Sequence, residues 1–192
     1  MPDWKDLRYL QTGTARQREA YAAIVRLGIL AALEAYGPVL AGTIPLDVDT
    51  AGSDLDLICQ VPAAELDAFG ELLRRLYGAR PGFRLRHTRW QELPTVVAGF
   101  AAEGFAWEVF GQPRPVAEQQ AVRHLRVEHA VLQAGGEAWR QAVRQLRQQG
   151  LKTEPAFAQL LRLPGDPYAA LLTLEALSPA ELQAYVRGLP LA

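Results

Sequence analysis

Cysteine is almost absent: Cys59 is the only one in 192 residues. No intramolecular disulfide can form, and neither a thiolate zinc cage nor a CxxC redox pair is available. Long apolar runs are missing as well. The longest such region, from Ile24 to Gly42, is interrupted by Arg26 and Glu34 and broken by Pro38, so it does not read as a membrane span. The opening residues MPDWKDLRYLQTGT hold no apolar core of signal-peptide length, and the expectation is a cytoplasmic protein with no membrane partner. An excess of one charge is lacking too. A net charge of −1 argues against bulk attraction to long nucleic acid. There is no Walker loop, HExxH, GxSxG or dinucleotide fingerprint, and no internal repeat.

What is present is an ordinary globular balance. Hydrophobic residues make up 49% and charged residues 21%, enough to bury a core without a covalent staple. The charge is unevenly spread. Residues 114–162 hold eight basic and four acidic side chains, a net of +4, and the remainder is acidic. A metal site beside a polyphosphate site would have this distribution, and so would two solvated faces of a structural protein.

Periodicity orders the elements. Ala20, Ile24, Leu27, Ala31 and Ala35 recur at helical spacing, which predicts a helix over Ala15–Tyr36 ended by Gly37-Pro38. Val39–Ala41 and Leu55–Val61 read as strands flanking a loop over 43–53, and Ala63–Tyr77 as an amphipathic helix. Phe83–Arg89 alternates apolar residues with Arg as a half-exposed strand does. Thr95–Ala101 and Phe105–Phe110 read as a hairpin turning at Ala102-Glu103-Gly104. From Val116 the pattern is helical, with starts at Thr153-Glu154-Pro155, Asp166-Pro167 and the capping box Ser178-Pro179-Ala180-Glu181. The expected fold class is α+β: a mixed β-sheet with flanking helices over residues 1–112, then a C-terminal helical region, 113–192, packed on it.

Chemistry concentrates between Leu40 and Leu57. Asp54 and Asp56 are two apart at a strand start, so both carboxylates project from one face while Leu55 and Leu57 face the core. Two like charges that close repel unless a cation lies between them, and hard divalent ions take oxygen ligands. A third acid, Glu108, stands inside the apolar strand Phe105-Ala106-Trp107-Glu108-Val109-Phe110, where an unpaired buried charge would be costly. Asp47 and Asp49 read either as outer metal ligands or, preferably, as turn residues. Arg123 and Arg126 share a helix face and could clamp a triphosphate. His124 and Glu128 share another and read as a surface contact or an oriented base. Lys152 either binds phosphate or complements a helix C-terminus. Gln112 and Gln119 read as solvated or base-contacting, Cys59 and Trp107 as core residues, and His87 and His129 have no ligand spacing.

Ala41-Gly42-Thr43, then ten residues, then Asp54-Leu55-Asp56-Leu57, and later Trp107-Glu108-Val109, resemble the nucleotidyltransferase superfamily that includes DNA polymerase beta. The departure is Thr43, where Ser or Gly is usual. The segments AGTIPLDVDTAGSDLDLIC, WEVFGQPRPVAEQQAVRHL and GLKTEPAFAQLLRLPGDPY look like the bacterial domain-of-unknown-function family 4269, which lends a fold and no substrate. The superfamily resemblance implies Mg²⁺ (or Mn²⁺) held by Asp54, Asp56 and Glu108, with Glu108 also helping to deprotonate an acceptor hydroxyl. It implies phosphates approached by Gly42 and bonded by Thr43, and Arg123 and Lys152 would contribute to binding the nucleotide. The function expected is transfer of a nucleoside monophosphate from a nucleoside triphosphate to an acceptor, a small molecule or a protein. The alternative is a non-catalytic relative that binds a nucleotide or a protein, as a regulator or antitoxin-like module does.

Overall fold

Thr14 opens the first helix with a capping box. Its hydroxyl accepts from the Gln17 N–H, and the Gln17 side chain accepts from the Thr14 N–H. In this computed structural model, which describes residues 4–191, α1 spans Ala15–Leu27 and stops at Gly28, left-handed at φ 65°. The short helix α2, Ile29–Ala32, and a 3-10 turn over Glu34–Tyr36 follow before Gly37. The single helix expected over Ala15–Tyr36 is therefore broken. A left-handed residue bearing a Cβ costs roughly 1–2 kcal/mol. Glycine at position 28 removes that cost, so the chain turns where the apolar stripe alone predicted continuation.

The strands are β1 (Val39–Ala41), β2 (Leu55–Gln60), β3 (Arg84–Trp90), β4 (Leu93–Ala102) and β5 (Phe105–Gln112), with α3 (Leu66–Tyr77) between β2 and β3. They form one mixed sheet in the order β1-β2-β5-β4-β3, parallel between β2 and β5 and antiparallel elsewhere. The expected hairpin joins β4 to β5. Glu103 and Gly104 both take positive φ, 53° and 80°, as a two-residue turn matched to strand twist requires.

Alternation along the strands gives the sheet two different faces. Leu55, Leu57, Cys59, Ala98, Trp107 and Val109 join one buried cluster with Leu10, Ile24, Phe69 and Leu73 from the helical layer. Each large side chain so buried contributes roughly 1.5–3 kcal/mol. Trp107 packs here as expected, its indole N–H donating to the Ala102 carbonyl at 2.9 Å. Cys59 is a small core residue whose thiol burial pushes up to about 12. Gly111 has to be small, since a Cβ there would stand 2.6 Å from the Phe69 ring. The other face carries Asp56 and Glu108.

The described residues divide into two compact units, 4–45 with 53–122, and 46–52 with 123–191. The helices of the C-terminal part are α4 (Gln120–Gln148), kinked at non-helical Gly136, α5 (Thr153–Leu160), α6 (Pro167–Leu172) and α7 (Pro179–Arg187). The three starts read from sequence hold. Asp166 accepts from the Ala169 N–H, and Ser178 with Glu181 forms its capping box. Among the described residues no helix is long and apolar enough to cross a membrane.

Candidate active site

Strand register assembles the acids. Asp56 on β2 is the direct partner of Glu108 on β5, and partners on neighbouring strands stand about 4.8 Å apart with their side chains on one face. The same row continues to Ala41 on β1 and to Gly99 and Arg84 on β4 and β3. Asp56 and Glu108 are half-buried, and Asp54, two residues before Asp56, is exposed. Two carboxylates in adjacent register repel unless a proton or a cation lies between them. All the donors are hard oxygens, the set that Mg²⁺ and Mn²⁺ prefer, so the residues fit such an ion. Among the described residues no three His, Cys, Asp or Glu side chains are grouped so as to hold a metal ion. The arrangement is an open pair, Asp56 with Glu108, and Asp54 stands beside it in sequence.

Gly42 sits at φ 81°, and a Cβ built on it would lie 2.5 Å from Oδ2 of Asp56. Only glycine gives both the turn and room for the carboxylate. Thr43 and Ser53 are buried, and the Thr43 hydroxyl donates to Ser53 Oγ at 3.0 Å, pinning together the two ends of the intervening loop. Gln17 adds a second tie. Its buried amide donates to the Ile44 carbonyl at 2.9 Å. No sequence signal pointed to this long-range bond, and Ser53 had none beyond its place before Asp54.

Arg123, Lys152 and Asp47 belong to the second unit. Arg123 grips Glu175 through two nitrogens, with Nε 3.1 Å from Oε1. Lys152 precedes α5 at its N-cap and is exposed. Asp47, read chiefly as a turn residue, does take a left-handed φ of 58°. Its carboxylate also lies 2.5 Å from Arg144 and 3.7 Å from Arg140.

Two readings need correction. His124 and Glu128 are not a surface contact, since both are buried. His124 Nε2 lies 2.9 Å from the Tyr168 carbonyl and Nδ1 lies 3.5 Å from Glu154 Oε1. A carbonyl only accepts, so Nε2 carries a proton. Glu128 Oε1 has no hydrogen-bond partner among the described residues, and burial, then the Glu154 charge, hold its carboxyl well above the usual range. Gln112 and Gln119 are not solvated but buried structural ties. Gln112 donates to the Trp90 carbonyl and Gln119 to the Cys59 and Arg114 carbonyls. Helical and strand spacing identified these residues as polar. Their burial comes from partners distant in sequence.

Solved structures share the fold of the chain. The Cid1 poly(U) polymerase with MgGTP bound is similar at 11% identity and TM-score 0.52, over 88% of this chain and 54% of that one. A structure of Cid1 concerned with its RNA terminal uridylyl transferase activity matches at 13% identity and TM-score 0.54, over 90% and 62%. The GLD-2/RNP-8 complex matches at 12% and 0.50, over 97% and 75%. The fold is nucleotidyltransferase-like, and the chain spans little more than half the length of the Cid1 chains. Residues 22–174 match the family described as Domain of unknown function (DUF4269), and the protein belongs to that family. No curated protein matches the sequence.

Proposed function

We propose that the protein is a metal-dependent nucleotidyltransferase that moves a nucleoside monophosphate from a nucleoside triphosphate to a hydroxyl-bearing acceptor and releases pyrophosphate. The observation that carries the reading is the register pair Asp56–Glu108, with Gly42 leaving space at the Asp56 carboxylate. The Cid1 structure with MgGTP supports a triphosphate as the donor. Asp54, Asp56 and Glu108 would hold Mg²⁺ or Mn²⁺. When bound, such an ion neutralises phosphate charge and stabilises the attacking and leaving oxygens. Glu108 would accept the proton of the acceptor hydroxyl. The Gly42 backbone would approach the phosphates, and Thr43 would turn its hydroxyl from Ser53 towards them. For Arg123 to bind a phosphate, it would have to leave Glu175.

A second reading rests on the open acid arrangement and on the engagement of Thr43 with Ser53: a relative that binds nucleotide without turning it over. One experiment separates the two. Purified protein is incubated with Mg²⁺ or Mn²⁺, each radiolabelled nucleoside triphosphate and an acceptor mixture, beside a thermal-shift series. The transferase reading expects label transfer that falls at least 100-fold in Asp54→Asn and in Glu108→Gln. It also expects metal-dependent stabilisation of the wild type by about 2.7 kcal/mol at 100 times the dissociation constant. Stabilisation without transfer favours the binding relative. Transfer that survives both substitutions rejects the site.

A further inference from the structure

From Leu72 to Gln91 the chain has six arginines and no acidic residue, in a protein whose net charge is −1. Three of them lie on β3, the outer strand of the sheet. Every residue of β3 except Leu85 is exposed, and Trp90 exposes 52% of its surface.

The two faces of β3 differ. A Cβ on Gly70 of α3 would meet His87 at 3.2 Å and Leu85 at 3.4 Å, so those side chains lean towards the helical layer. Alternation turns Arg84, Arg86, Thr88 and Trp90 to the opposite face, which also carries Asp56 and Glu108. Arg84 is directly in line with them through Gly99. A Cβ on Gly99 would stand 2.9 Å from Arg84 Nε and 3.1 Å from its Cζ, so the guanidinium lies over Gly99 in a space only glycine leaves. Neither the Arg84 nor the Arg86 side chain forms a hydrogen bond or ion pair among the described residues.

Arginines on an edge strand discourage sheet-to-sheet pairing, and that role accounts for the charge. It does not account for a large exposed aromatic on the same face, nor for an unpaired guanidinium laid across the sheet towards Glu108. The Trp90 backbone is also fixed. Gln112 donates to its carbonyl at 2.9 Å, and Arg114 donates to Gln91 next to it at 2.7 Å. A rigid strand with unpaired guanidinium groups and an exposed indole on one face matches the chemistry that binds single strands: charge for phosphodiesters, an aromatic plane for a base.

The geometry points to β3 as the acceptor track, taking a short single-stranded nucleic acid with phosphodiesters on Arg84 and Arg86, a base on Trp90 and its terminal hydroxyl presented to Glu108. The last element rests on the transferase reading above, and the binding surface does not. Trp90 lies six residues from Arg84, about 20 Å along the strand, which limits the contact to a handful of nucleotides. This scale agrees with a near-neutral chain that lacks the charge for long nucleic acid.

Fluorescence anisotropy with end-labelled ten-nucleotide RNA and DNA homopolymers tests the surface, with an equally charged polyglutamate peptide as control. Expected is binding of an oligonucleotide and not of polyglutamate. Arg84→Ala with Arg86→Ala should weaken it at least tenfold and lower the slope of log K against log salt by about 1.4. Trp90→Ala should weaken it about 5- to 100-fold, and Arg74→Ala with Arg75→Ala on α3 should leave it unchanged. Absence of oligonucleotide binding at 50 mM salt overturns the inference. So does wild-type affinity in the β3 variants, or equal affinity for polyglutamate. If β3 binds but no nucleotide is ever added, the transferase reading fails alone. If label goes to another acceptor and β3 substitutions do not alter the rate, the track fails alone.

Discussion

Gly42 connects conformation and chemistry at a single residue. Its φ of 81° and the 2.5 Å between its missing Cβ and Asp56 Oδ2 make alanine doubly unfavourable. The backbone term is roughly 1–2 kcal/mol, and the Asp56 carboxylate must also be displaced. Gly42→Ala is expected to lower the melting temperature by a few degrees and to abolish the metal-dependent shift given by a nucleoside triphosphate. A full shift in the variant would mean that Asp56 does not need this space. The residues of this site were readable to different degrees. Asp54 and Asp56 could be placed on one face because a strand has a period of two, and Glu108 stood out as an acid in an apolar strand, but its register with Asp56 across β2 and β5 was not legible. Gln17 could not be linked to Ile44, nor Gln119 to Cys59, because no local spacing encodes a bond between distant parts of the chain.

At the scale of elements, turns and caps were the legible features. Ser178, Asp166 and the Glu103-Gly104 hairpin act as their local chemistry dictates. Gly28 shows the limit of that reading, because an apolar stripe continued across it while the backbone did not. The α4–α5 junction shows another. Helical spacing put His124 and Glu128 on one face but could not reveal that α5 and α6 bring Glu154 and Tyr168 against His124. Burial and the Glu154 charge raise the Glu128 carboxyl above its ordinary value, and Arg147 opposes them. Burial raises Glu154 as well, but the bond and charge from His124, with Lys152 adding to them, bring it out below. Above about pH 4.5 an unfolded Glu128 has lost its proton while the folded one retains it, so this group costs stability increasingly as pH rises from there. Glu154 has the opposite sign: its contribution is present above pH 4.5 and lost as pH falls through its lowered folded value. Glu128→Gln, which mimics the protonated form, is therefore expected to melt a few degrees above wild type at pH 7 and to converge with it below pH 4.5. Parallel melting profiles from pH 4 to pH 8 would show that Glu128 retains no extra proton.

At the scale of the whole molecule, the chain leaves the first unit after residue 45, returns at residue 53 and leaves again after residue 122. The excursion 46–52 lies between Thr43 and Asp54, so both flanks of the candidate site are continuous with it. Composition and periodicity could not assign this loop, because its anchor is a charge pair between residues far apart in sequence. Asp47 contacts Arg144 at 2.5 Å, with side-chain exposures of 25% and 27%. A partly buried pair of this kind contributes more than a solvated one, on the order of 1–2 kcal/mol. Asp47 is also left-handed at φ 58°, so alanine would mix two effects. Asparagine tolerates that conformation and removes only the charge. Asp47→Asn is expected to lower the melting temperature by about 2–6 °C at 50 mM salt. The gap should narrow at 1 M salt, where the screening length falls to about 3 Å. If Asp47→Asn melts with the wild type at both salt concentrations, turn geometry alone accounts for Asp47 and the ion pair does not anchor the loop. If the gap appears and closes with salt, the charge pair anchors the segment from which both Thr43 and Asp54 extend. The same variant should then also show a reduced stabilisation by metal and nucleotide.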